Sequence, residues 1–430
     1  MTRTPLWIGM LALAACSSGG EAQGLLGADG GSSGSDARAA TGADARTAIG
    51  DAPRTSSADA APTADGGTIV SNSGNPFTGA VMYVNPDYVA EVEASIVADP
   101  SHATALAKVE AFSTAIWLDT IARTATLGRI LDDATAKQTA LGKPVVVTFV
   151  VYDLPGRDCH ANASNGELTL SAGDVQRYRT DYVDVIAAAF AAHSSLRIAA
   201  VVEPDSLPNL ATNLSDSRCA AAQDAYKAGV AYAVSKLSAP HVALYLDAGH
   251  SGWLGWPNNI TAGAQIFKDV LITAGGADKI RGFASNTANY SVLHETHELF
   301  DYQSNPCHDE LTYVSHLSSA LSAIGVGGKY FVVDTSRNGK GGIRQAWGSW
   351  CNVHGAAIGE RPVADPAPGI DAYLWVKPPG ESDGTSDSSA PRFDSACGPG
   401  NPDATQGSPQ AGEWFASYFS MVAGNATPPL

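Results

Sequence analysis

No apolar run in these 430 residues reaches the ~18 that a membrane-spanning helix needs. Basic residues are scarce as well. The 26 Lys and Arg stand against 43 Asp and Glu, a formal charge of −17, which excludes the basic stripe that a nucleic-acid partner demands. Charged residues make up only 16% of the chain, and 44 Gly with 24 Pro describe a loop-rich exported protein rather than a helical bundle. Between residues 17 and 75 there is no Phe, Tyr or Trp. Such a segment cannot bury enough apolar surface to offset its ordering entropy, so residues 16–75 are expected to form a flexible Ala/Gly/Ser/Asp-rich linker.

What is present begins with an address. Arg3 precedes the short apolar run Leu6–Ala15, the layout of a secretory signal occupying residues 1–15. Cys16 follows Leu13-Ala14-Ala15, and this resembles the bacterial lipobox. That resemblance implies lipidation of Cys16 and a membrane partner reached through an N-terminal lipid anchor, at the cell surface or outer membrane. The alternative is an ordinary signal peptide and a secreted protein.

Residues 76–430 carry seven apolar runs: Ala115–Asp119, Val145–Asp153, Ile198–Asp205, Val242–Asp247, Ile280–Asn286, Tyr330–Asp334 and Ala372–Lys377. Near-continuous β-branched runs of this length suit strands buried on both faces, as in a parallel sheet. Helical patterns lie between several of them. Asp174–His193 sets Val175, Tyr178, Tyr182, Val185, Ile186 and Ala189 on one stripe, and Cys219–Leu237 behaves similarly. The class is therefore α/β, a parallel β/α barrel of TIM-like type. In such a barrel, side chains at the C-terminal strand ends line the active site. Here those ends present Trp117, Asp119, Tyr152, Asp153, Asp205, Asp247, Asn286, Asp334, Trp375 and Lys377. One Asp there is commonplace turn chemistry. Repeated acids interleaved with Trp describe a carbohydrate site, in which rings cover sugar faces and carboxylates cleave the link.

Two stretches are more specific: VYDLPGRDCHANASNG from Val151 and VVEPDSL from Val201. With YLDAGHSGWLGWP (245–257), NTANY (286–290), WGSWCNV (347–353) and WVKPPGESDGTSDSSAPRFDSAC (375–397), they resemble glycoside hydrolase family 6 over nearly all of residues 75–430. The resemblance implies a distorted seven-stranded barrel. It also implies inverting hydrolysis of β-1,4-glucan by a monomer that needs no cofactor and no metal. Inversion uses one carboxylic acid to protonate the leaving oxygen and a second group across a water-sized gap. Carried over, Asp205 is the general acid and Asp158 the neighbour whose charge keeps that acid protonated. Asp383 is the residue proposed as base, with a water relay through Ser164 as the competing route. Tyr152 is the tyrosine that distorts the sugar ring.

For binding cellulose or cello-oligosaccharides, the resemblance points to Trp117, Trp253, Trp256, Trp350 and Trp375 as platforms, one or two of which are expected to be packing residues. Lys377, Glu381 and Asp119 are the expected hydroxyl binders, and Asp247, His250, Asn289 and Arg337 the further cleft positions. His294-Glu295-Thr296-His297 has two residues between its histidines where the zincin helix has three, so no metal is assigned. With Cys16 set aside, five cysteines remain, and in an exported protein one is left over. The family pairs are Cys159–Cys219 and Cys351–Cys397, leaving Cys307 as a tolerated thiol. The long stretch between Asp383 and Trp414 resembles cellobiohydrolases releasing cellobiose from non-reducing ends, rather than endo-β-1,4-glucanases. A surface-tethered glucan-binding lipoprotein without catalysis, or a solute-binding lipoprotein, is the reading from another class. Both share the cleft, and only turnover separates them.

Overall fold

The computed structural model describes residues 74–294, 304–346 and 348–430. The signal segment, Cys16 and the linker as far as residue 73 lie outside the described residues, as do Glu295, Thr296 and His297. Nine strands are present among the described residues: β1 (Val81–Met82), β2 (Ile116–Leu118), β3 (Val145–Val151), β4 (Arg197–Val202), β5 (Val242–Asp247), β6 (Gly282–Ser285), β7 (Tyr330–Asp334), β8 (Val363–Ala367) and β9 (Ile370–Leu374). Each of the seven expected runs overlaps a strand, although β4 and β9 begin one and two residues before theirs. The two additional ones are the short β1 and the half-exposed β8, whose Pro366 and exposed Val363 carry no buried-strand signal.

The sheet runs β1-β3-β4-β5-β6-β7-β9-β8, with β2 also paired to β3. Every pairing is parallel except β8 with β9. β1 takes the start of β3 and β2 takes its end, so both occupy one edge. No ladder joins β2 to β9. Among the described residues the Ala115 N–H to the Trp375 carbonyl (2.9 Å) and the Trp117 indole N–H to the Val376 carbonyl (2.8 Å) are hydrogen bonds across that seam. The result is a mostly parallel curled sheet, a distorted half-barrel.

Alternation along each strand divides the core. In β3, Val145, Val147, Phe149 and Val151 pack outward under the helices, while Val146 and Val150 face the barrel interior. There they meet Ala199, Ala243, Ala284 and Ala372, whose small side chains let the sheet curl tightly, with Phe77 packed against Tyr245 in the same interior cluster. Both faces are buried, the condition a parallel sheet needs.

The expected 174–193 helix is observed as Ala172–Arg177 and Asp184–Ala192, joined through a widened turn at Tyr178–Val183. That turn shifts the phase of the stripe. Tyr178, Tyr182 and Ile186 stay buried at intervals of four, Val183 is drawn in, and Val185 turns out to 40% exposure. The Tyr178 and Tyr182 rings stack 5.6 Å apart and direct their hydroxyls at the strand ends below the site. Helix Ser217–Leu237 matches its expectation.

Candidate active site

The C-terminal strand ends open into a cavity of about 940 Å³. Asp158, Asp205, Asp383, Tyr152 and Ser164 all line it. Asp158 and Asp205 both hold left-handed backbone conformations (φ 57° and 63°), a cost that the surroundings must sustain. Cys159, bonded to Cys219 at the start of the 217–237 helix, braces the first. The second is braced by Asp247, whose Oδ2 accepts the Asp205 N–H at 3.0 Å and the Gly249 N–H at 3.3 Å.

Asp205 accepts no hydrogen bond on its carboxyl among the described residues. Burial first, then the charges of Asp158, Asp247 and Asp383, hold its pKa well above the usual carboxylate range. Asp158 is raised too, mainly by burial, against hydrogen bonds from the Tyr152 hydroxyl (2.8 Å) and Ser164. Asp247 is pushed up to about 6 by burial, against its backbone donors. Three acids share one site, where Arg157 only partly offsets the rise at Asp158, and such a set resists full ionisation. Asp247 does not line the cavity. It acts on Asp205 from beneath, which corrects its assignment as a substrate contact.

Asp383 lives differently. Arg337 Nη1 lies 2.8 Å from both its oxygens, the Tyr290 hydroxyl donates to Oδ2 at 2.7 Å, and the Asn352 N–H donates to Oδ2 at 2.8 Å. The Asn352 Oδ1 accepts the Asp383 N–H in return. Arg337 is wholly buried, so it is the partner of Asp383 and not a sugar contact, a second correction. Cys351, next to Asn352, is bonded to Cys397, which fastens this clamp to the loop after Asp383.

Trp117, Trp253, Trp256 and Trp350 line the cavity. Trp375 does not: it is 1% exposed, packs 5.1 Å from the Phe112 ring and donates its indole N–H to the Glu360 carbonyl. It is core, one of the packing tryptophans expected among the five. Trp117 meets Tyr152 edge-on at 5.1 Å, with Lys377 Nζ 5.5 Å from its ring. Lys377, Glu381 and Asp119 also line the cavity, and Lys377 lies 3.5 Å from Glu381. His250 is a lining residue held neutral, its pKa lowered to about 3 by burial and then by Arg344. Its ring meets the Asn289 amide at 3.0 Å and the Ser291 hydroxyl at 3.3 Å. Cys307 is a buried free thiol, pushed up to about 12 by burial.

Sequence reading missed Arg157, Tyr290 and Asn352. Arg157 stacks 4.2 Å over the Tyr152 ring and donates to the Asp119, Tyr152 and Ser164 carbonyls, tying three site segments together. Its place beside Asp158 in GRDC was the available signal. Tyr290 and Asn352 stand in the NTANY and WGSWCNV motifs, but their contact with Asp383, 93 and 31 residues away, is not visible from the motifs. Among the described residues no group of His, Cys, Asp and Glu is arranged to hold a metal.

The protein-family model for glycosyl hydrolases family 6 matches residues 77–426. Exoglucanase 3 of Agaricus bisporus is 46% identical over 363 residues, covering 84% of this chain and 81% of its own length. The CcCel6A catalytic domain complexed with p-nitrophenyl β-D-cellotrioside aligns with a TM-score of 0.80 at 46% identity, over 84% of this chain and 99% of that one. Cellobiohydrolase II (Cel6A) from Humicola insolens, in complex with glucose and cellotetraose, gives a TM-score of 0.80 at 38% identity over 83% and 100%.

Proposed function

The chain belongs to glycosyl hydrolases family 6, and from that premise we propose that it is a cellobiohydrolase, cleaving the β-1,4-glucosidic bonds of cellulose with inversion and releasing cellobiose from non-reducing ends. The observation that carries this reading is the contrast between two carboxyl groups on one Trp-lined cavity. Asp205 is held protonated among acids, and Asp383 is clamped by a cation.

Asp205 gives its proton to the leaving glycosidic oxygen. Asp158 and Asp247 keep that proton available at pH values where a free carboxyl has lost it. Tyr152, fixed by Asp158, Arg157 and Trp117, bears on the ring undergoing cleavage. Asp383 supplies fixed negative charge near the developing oxocarbenium ion. Its Oδ2 already accepts from Arg337, Tyr290 and Asn352 and its Oδ1 from Arg337, which occupies most of the lone pairs that direct proton abstraction would use. A water relay through the Ser164 hydroxyl is therefore favoured over direct abstraction. Exo action is supported by the 384–413 loop. Asn162 in the Asp158 loop donates to Asp394 (2.7 Å) and to the Phe393 carbonyl (2.8 Å), joining the two loops, and Arg392 lines the cavity.

The test is cleavage of cellohexaose, with proton NMR of the fresh anomers. Early α-anomer and cellobiose-dominated products are expected. Mixed product lengths would shift the reading to an endoglucanase, and binding without turnover to a tethered glucan receptor. The two disulfides place the folded region in an oxidising, extracytoplasmic setting. On Cys16 we propose lipid anchoring, with residues 16–75 as the linker. Mass spectrometry of the membrane-extracted protein showing an unmodified N-terminus elsewhere would sink it.

A further inference from the structure

One histidine on the cavity wall has no part in the chemistry above. His160 follows the disulfide-bonded Cys159 and lines the same cavity as Asp205. Its side chain is 60% exposed, and its Nδ1 lies 3.3 Å from Asp216 Oδ2. Asp216 is itself fixed. It caps the 217–237 helix by accepting the Arg218 N–H on Oδ1 at 2.9 Å, and its own N–H donates to the Asn213 carbonyl at 3.0 Å. The imidazole is thus oriented through one nitrogen by a carboxylate that the fold holds still. Orienting one ring nitrogen fixes what the other presents.

The wall beside it carries polar side chains. Asn213 lines the cavity and donates to Asn209 Oδ1 at 2.6 Å. Thr212, the next lining residue, accepts the indole N–H of Trp253 at 2.8 Å. His160 therefore belongs to the side of the cavity built around the Trp253 platform. A sugar stacked on an indole turns its hydroxyls sideways, and a neighbouring ring nitrogen is a suitable partner for one of them.

We propose that His160, oriented by Asp216, is a substrate-binding residue that hydrogen-bonds a glucosyl hydroxyl of the β-1,4-glucan chain lying along Trp253. The inference rests on the glucan-hydrolase reading, and the experiment separates the two. Wild type, His160→Ala, His160→Gln and Asp216→Asn are compared on cellohexaose, with a thermal melt of each. Asn is an N-cap as good as Asp, so Asp216→Asn removes the charge while keeping the helix start.

Losing one neutral hydrogen bond should raise KM about three- to tenfold in His160→Ala, with kcat held within about twofold. His160→Gln should recover most of the loss, and Asp216→Asn should show a smaller rise. An unchanged KM in His160→Ala would overturn the inference and leave a surface contact with Asp216 alone. A fall in kcat together with a lowered melting temperature, not rescued by Gln, would overturn it in favour of a structural role for the Asp158 loop. No turnover by wild type would instead remove the glucan-hydrolase reading itself.

Discussion

Asp205 and Asp383 line the same cavity and carry the same functional group, yet their surroundings are opposite. Around Asp205 the fold collects Asp158 and Asp247, and burial and like charge favour the protonated acid. Around Asp383 it places a fully buried arginine, a tyrosine hydroxyl and a backbone N–H, all donating. On the proposed reading the first arrangement makes a proton donor. The second makes a clamped carboxylate that is also a structural joint. Two carboxylates become different reagents through what the tertiary structure puts beside them.

The largest effect expected from breaking this contrast is Asp205→Ala. Loss of a general acid should lower kcat on cellohexaose by about 10²- to 10⁴-fold, while circular dichroism and the melting temperature stay near wild type. Substitution on the other side should behave in reverse order. Arg337→Met leaves Asp383 buried without its cation, which should cost about 3–5 kcal/mol of stability, read by urea denaturation. A stability loss in Asp205→Ala as large as that in Arg337→Met would erase the distinction.

Stability against pH tests the raised carboxyls together. Asp153 is pushed to about 8, Glu203 and Glu310 to about 7 and Asp247 to about 6, in each case first by burial. Above pH ~4 the unfolded chain has released these protons while the folded state keeps them. The folded state therefore binds more protons across this range. Stability should be greatest near pH 4–5 and decline as pH rises through about 6–8, followed as the melting temperature in a buffer series. A flat profile between pH 5 and 8 would contradict the burial of these groups.

The smallest effect sharpens the comparison most. Asp247→Asn can still accept the Asp205 N–H but removes one negative charge from beneath the acid. The alkaline limb of kcat/KM should then move to lower pH with little loss at the optimum. An unmoved limb would mean that Asp247 positions Asp205 without tuning it.

Much of this molecule was legible from its sequence, and the legible parts are local. β5 and β7 coincide with their apolar runs to the residue, because strands buried on both faces have no polar interruption to blur their ends. The motifs around Asp158, Asp205 and Asp383 likewise led to one cavity, and the four paired cysteines to two disulfides. Where the reading failed, the deciding contact was distant in sequence or the periodicity itself changed. Val185 left its stripe because the turn at Tyr178–Val183 is wider than an α-helical one. Trp375, at a strand end like Trp117, was counted with the cavity. A hydrophobic cluster from Tyr88, Phe415 and Phe419 packs over it.

The sequence by itself determined seven of the nine strands, since their apolar runs are written in neighbouring residues, while its motifs resembled those of a family in which the paired cysteines and the candidate acids have counterparts. Only the tertiary structure decided which acid is surrounded by like charge, which tryptophans face the cavity and which arginine is a clamp. Those properties belong to the space between segments. The Arg337–Asp383 pair spans 46 residues and the Asp205–Asp247 contact 42, and a pKa is set by whatever charge and burial the fold brings there.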